Sequence, residues 1–235
     1  MLRFWNEFDR EQRGVTYIEL IIVISIFSIL AGTLLLNFTR FGRNITLQNL
    51  AQDIALQINQ AQKDAISGRT NDVLATCDRL TRDCAPRYGV YLTTYADGSN
   101  NVIAGYGGTP GKTLLTFFDY MLEPTVPDNM LHNGYPACGT GLGTECLDNI
   151  SLGQGNYISE ICVGIENECT EDITGDYGLN IVFKRPFPDA IITTDVSSGA
   201  VYNYAKITVS SPNSDTASKD IIVTGLGQIS VQSHQ

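Results

Sequence analysis

Glu19 is one carboxylate entering an otherwise apolar run. Arg13-Gly14-Val15-Thr16-Tyr17-Ile18-Glu19-Leu20 leads directly into Ile21 to Leu36, where no further charge occurs. An ionised carboxylate carried into hydrocarbon costs a few kcal/mol unless a cation meets it, so a charge at this position reads as functional and calls for a partner. Other residues invite chemical readings as well. Six cysteines fall into three close pairs, Cys77 with Cys84, Cys138 with Cys146 and Cys162 with Cys169, and five acids (Glu166, Glu168, Glu171, Asp172, Asp176) crowd around the last pair. No catalytic set accompanies them. The only histidines are His132 and His234, there is no Gly-x-Ser-x-Gly elbow and no His-Glu-x-x-His, and cysteines engaged in disulfides are not nucleophiles.

The element that carries Glu19 is long. Val15 to Leu36 is about 22 residues, about 33 Å as a helix, enough to cross the hydrocarbon core. Arg3, Arg10 and Arg13 precede it, and basic residues near a span weigh more than the intervening Glu7, Asp9 and Glu11 in setting orientation. The short leader is therefore expected to stay cytoplasmic and the C-terminal part to be exported. An ordinary export signal fits less well, because no Ala-x-Ala-like site follows the apolar run. Leu30-Ala31-Gly32 imitates a lipoprotein box, but Thr33 stands where the lipid-accepting cysteine would be required.

The basic-Gly pair, the glutamate five residues on and the apolar run resemble the type IV prepilin family. The resemblance implies that a membrane prepilin peptidase cuts after Gly14 and that Val15 becomes the mature first residue, often methylated, with Glu19 its fifth. It also implies that the chain sits in the inner membrane as a single-pass precursor, in contact with lipid, until its helix joins other pilin or pseudopilin subunits in a periplasmic or extracellular filament. There the Glu19 carboxylate would meet the Val15 amine of a neighbour in a low-dielectric bundle. Val15 replaces the commoner phenylalanine, and Leu36 stands where many major pilins carry a helix-kinking proline. A looser resemblance, to minor pseudopilins of type II secretion and competence pili, rests on Leu50, Ala51, Ala55, Ala61 and Ala65, on Ile181 to Arg185, and on Asp220 to Val223 followed by Gly225 to Val231.

Past Gly42 the apolar residues thin to a stripe: Leu47, Leu50, Ala51, Ile54, Ile58, Ala61, Ala65 and Ile66 recur at three- and four-residue steps, the pattern of an amphipathic helix, and Gly68 supplies its C-terminal stop. Beyond Asn71 the signal turns to β. Short runs rich in β-branched and aromatic residues predict strands at 73–77, 88–93, 102–104, 113–117, 157–163, 179–183, 190–193, 204–210, 220–223 and 228–231. The expected fold is α+β, a long hydrophobic N-terminal helix packed against an antiparallel sheet or sandwich. Its expected divisions are a leader (1–14), a transmembrane or filament-core helix (15–36), an amphipathic continuation (37–68) and a disulfide-stapled β-rich head (69–235). The Pro-, Gly- and Asn-rich stretch from Glu123 to Gly155 reads as a surface excursion available to partners.

The formal charge of −10 falls entirely on residues 61–235, since the leader and residues 15–60 each sum to zero. An acidic head with no Lys or Arg from Asp220 to Gln235 argues against nucleic acid as a partner. Six cysteines confined to the exported part favour disulfides over a metal centre, because no C-x2-C pair is present. The acids beside Cys162 and Cys169 have oxygen density suited to calcium but lack the EF-hand order; a solvated loop is the simpler reading, and no other cofactor is indicated. Gly107 to Thr113 misses the phosphate-loop spacing because Tyr106 stands where glycine is required. The sequence thus describes an assembling subunit rather than an enzyme, with a membrane-anchored adhesin or ligand-binding head as the alternative.

Overall fold

The computed structural model describes residues 14–68, 87–94, 103, 106, 108–119, 138, 146–153, 155–195, 200–212 and 217–234, without the side chains of 35–41 and 43. The leader before Gly14, the Cys77–Cys84 pair, the strand expected at 73–77 and most of the stretch from 123 to 145 lie outside the described residues. Two compact units divide between Arg43 and Asn44.

The first unit carries the apolar part of helix α1 (Tyr17–Ser67). Its stretch Tyr17–Leu34 has a mean hydropathy of 2.2 and no buried residue, and is long and apolar enough to cross a membrane. The second unit begins with the amphipathic part of α1. Leu47, Ala51, Ile54, Ile58 and Ala65 are buried almost completely on one face, because residues three and four apart share a side of a helix. Ile66 departs from the expected stripe and is 44 % exposed. Gly68, at φ 65°, ends the helix in the left-handed region that glycine enters without a Cβ penalty.

Among the described residues, ten strands form two five-stranded antiparallel sheets: β1 (Arg87–Thr93), β2 (Thr113–Asp119), β3 (Cys146–Ser151), β4 (Tyr157–Gly164), β5 (Glu171–Asp172), β6 (Gly178–Phe183), β7 (Ala190–Thr194), β8 (Tyr204–Ser210), β9 (Ser218–Thr224) and β10 (Ile229–Ser233). The orders are β3-β2-β1-β6-β7 and β10-β9-β8-β4-β5. The helix face, Tyr88, Val90, Ile181 and Phe183 of the first sheet, and Ile161, Ile207, Val209 and Ile221 of the second share one core. The α+β architecture is therefore the one expected, with its strands divided between two sheets.

Two expectations are corrected. Residues 146–151, assigned to the surface excursion, form edge strand β3, paired with β2 from Thr113↔Ser151 to Phe117↔Cys146. Cys-Leu-Asp-Asn-Ile-Ser has little β propensity of its own, and the pairing groups of β2 supply the structure. Ile103, expected in a strand, sits in a turn, its carbonyl accepting from the N–H groups of Tyr106 and Gly108. Ile103 and Tyr106 fold over the far face of the first sheet and cover Tyr91, Leu115, Phe117 and Val182. That sheet is thus buried on both faces, which explains why β1 and β6 contain no exposed position.

Candidate functional site

Gly14, Val15 and Thr16 precede α1 as non-helical chain, and all three are exposed. The helix starts where the Thr16 carbonyl accepts from the N–H groups of Glu19 (3.0 Å) and Leu20 (3.2 Å). The Gly14–Val15 peptide bond is thus outside the helical hydrogen-bond ladder, and no atom lies within 4 Å of where a Gly14 side chain would stand.

Downstream, the hydroxyls of the apolar stretch are satisfied within the helix. Ser25 Oγ donates to Ile21 O, Ser28 Oγ to Ile24 O (both 2.8 Å), and Thr33 Oγ1 to Leu30 O at 2.9 Å. Such back-bonding removes their demand on the surroundings. Glu19 remains as the one formal charge of Tyr17–Leu34, exposed in the first helical turn, where the helix dipole favours an anion. The segment therefore sets the exposed Gly14–Val15 junction just ahead of the exposed Glu19 carboxylate.

Residues 9–35 match the family model for the prokaryotic N-terminal methylation motif. The chain has a type IV pilin-like N-terminus. No curated protein and no solved structure matches the chain. In the pilin-like segment the match runs across Gly14, Val15 and Glu19 and ends with the apolar stretch, so the motif and the membrane-length helix coincide.

The head holds the remaining residues singled out by sequence. Cys138 is joined to Cys146, with Cα atoms 4.6 Å apart, and Cys162 to Cys169, at 5.6 Å. The first bridge lies against the buried far face of the first sheet; the second closes the loop between β4 and β5. That loop turns through Asn167 at φ 60°, and Thr170 N donates to Val163 O at 3.0 Å. The five acids do not converge. Glu171 accepts from the Tyr202 hydroxyl (2.8 Å), Asp172 from Thr174 N (2.9 Å), and no group of three or more His, Cys, Asp or Glu among the described residues is placed to hold a metal. Hydrogen bonds from Thr174 hold the Asp172 carboxyl below its ordinary range, while burial, then the bond to Glu171, pushes the Tyr202 hydroxyl up.

Two polar clusters escaped the sequence reading. Asp195 accepts from Tyr91 OH at 2.6 Å, Asn180 Nδ2 at 3.0 Å and Gly178 N at 3.1 Å, tying β1, β6 and the end of β7 together; burial, reinforced by Asp195, pushes the Tyr91 hydroxyl far up. His234 Nδ1 lies 2.9 Å and 3.0 Å from the two oxygens of Asp220, which also accepts from Thr208 Oγ1. The Thr208 hydroxyl is given to Asp220, and the Ser233 hydroxyl accepts from Lys219. An open groove of about 550 Å³ beside it is lined by polar side chains such as Asn44, Gln48 and Gln52 and by the apolar Ile45, Leu47 and Ala217. No signal in the linear sequence joins residues 91 and 195, or 208 and 234.

Proposed function

We propose that this chain is a structural subunit of a type IV pilus or a type II secretion-like pseudopilus, acting by assembly rather than by catalysis. The methylation motif over residues 9–35 is the observation that carries this reading. In it, prepilin peptidase removes residues 1–14, residues 15–36 anchor the subunit in the inner membrane and then enter the filament core, residues 37–68 carry the head, and residues 69–235 meet partners outside the cytoplasm. The Val15 amine and the Glu19 carboxylate of adjoining copies neutralise one another where water is excluded, and removing either charge leaves the other unpaired in a low-dielectric setting. Its abundance along purified filaments separates a minor from a major subunit.

N-terminal sequencing of membrane-extracted protein tests the processing step. A chain that begins at Val15 supports it, and a chain in sheared filaments that retains its first fourteen residues overturns it. Glu19→Ala is expected to insert and be cleaved but not to enter filaments. Normal incorporation of that variant would refute the charge pairing.

A further inference from the structure

One end of the head carries an apolar patch that nothing described covers. Gln62 Nε2 donates to Pro188 O (2.8 Å) and Gly227 O (3.0 Å), drawing the end of α1, the β6–β7 loop and the β9–β10 turn together. Around that junction Ile66, Phe187 and Leu226 are 44, 64 and 72 % exposed. Lys184 and Arg185 border it, both exposed and without an acidic partner among the described residues; Arg185 reaches over Gly68, and Asp189 is the one exposed acid of the same loop. On a head of formal charge −10 this is a basic, apolar spot. Solvent-exposed apolar clusters rimmed by charge mark docking surfaces.

The same end bears its complement. Asn203 N donates to Gly164 O, Gly225 N to Asn203 O and Ala190 N to Gly225 O, so the β4–β5 loop, the start of β8, the β9–β10 turn and the start of β7 stand in one row. At the far side of that row Ile165 is 62 % exposed beside Glu166 and Glu168, which have no partner among the described residues. The Cys162–Cys169 bridge holds this tip in one shape, so little is lost in ordering it on contact. From β9 to β5 is three strand steps in the sheet order, about 14 Å.

We infer that the Ile66–Phe187–Leu226 patch with Lys184 and Arg185 receives the Ile165–Glu166–Glu168 loop of a second copy of this chain. Both the charge and the apolar residue of the loop find their counterpart. The contact rests on the filament reading for its role but not for its existence.

Full-length protein in its own membrane is treated with a carbodiimide, which couples a lysine amine to a carboxylate, and the linked peptides are identified by mass spectrometry. With heavy-isotope and light copies mixed in one membrane, a bond that joins a heavy Lys184 peptide to a light Glu166 or Glu168 peptide is expected. Its yield should fall tenfold or more in Arg185→Glu, which keeps the Lys184 amine, and in Glu166→Lys, which keeps the Glu168 carboxylate, since each places like charges opposite one another, and should return when the two changes are combined. All four positions are exposed, and matching circular dichroism spectra check that the variants fold. Absence of the linked peptide, linkage of Lys184 only to another protein, or failure of the combined variant to recover overturns the inference. Filaments sheared from the same cells are scored separately: filaments without this linkage refute the contact and spare the proposed function, whereas the linkage without filaments does the reverse.

Discussion

Leu56 and Ile58 stand two residues apart on α1 with side chains of equal size, yet Ile58 is fully buried and Leu56 is 57 % exposed. Truncating each to alanine isolates the face of the helix. Ile58→Ala deletes three buried carbons, about 2.4 kcal/mol at about 0.8 kcal/mol per methylene. The cavity left among Ile54, the two sheets and the rest of the helix face raises the total to about 3.5 kcal/mol. For a unit of this size each kcal/mol moves the melting point by about 2–4 °C, so Ile58→Ala should melt about 7–14 °C below the parent. Leu56→Ala should stay within about 0.5 kcal/mol. The assay is thermal circular dichroism of the full chain in detergent, with the micelle holding the apolar stretch. Equal effects from the two variants, or a larger one from Leu56→Ala, would mean that the helix does not seat its Leu47–Ile54–Ile58 face in the head, and the shared core would be wrong.

Three further outcomes follow from the head. Replacing Cys162 and Cys169 together by alanine frees a loop whose ends are 7 residues apart, expected to cost about 2.4 kcal/mol from loop entropy in the unfolded chain; an unchanged denaturant midpoint contradicts it. The Asp172 carboxyl is depressed in the folded state by Thr174, so folding expels its proton; the stability this supplies is present above the ordinary carboxylate value of 3.8 and is lost as pH falls through the lower folded value. Asp172→Asn should therefore flatten the fall of melting temperature on acidification below that point, and an identical fall in the variant refutes the assignment. Gln62→Ala leaves the carbonyls of Pro188 and Gly227 without their shared donor, at about 1–2 kcal/mol, measured by urea unfolding; a shift no larger than that of Leu56→Ala would show that water replaces the amide.

The apolar run, the lone Glu19, the Gly14–Val15 junction and the stripe from Leu47 to Ala65 are all legible in the linear chain, because hydropathy and the 3.6-residue period are local properties. Most strands were legible for the same reason: alternating or continuous β-branched runs bounded by Gly, Pro and Asn need no knowledge of their neighbours. The close cysteine pairs, too, needed only sequence distance to be considered. What only the tertiary structure decided is everything set by a partner far along the chain. Residues 146–151 became a strand because β2 offered them an edge. The first sheet is buried on both faces because the turn at Ile103 and Tyr106 folds back over it. Asp195 finds Tyr91 across 104 positions, and Gln62 finds Gly227 across 165. Hydrogen-bond partners and burial depend on which surfaces meet after the chain closes on itself, and loop closure places no mark on composition. For that reason the anchor could be read residue by residue, while the surface that meets a partner emerged only when the ends of the strands were set side by side.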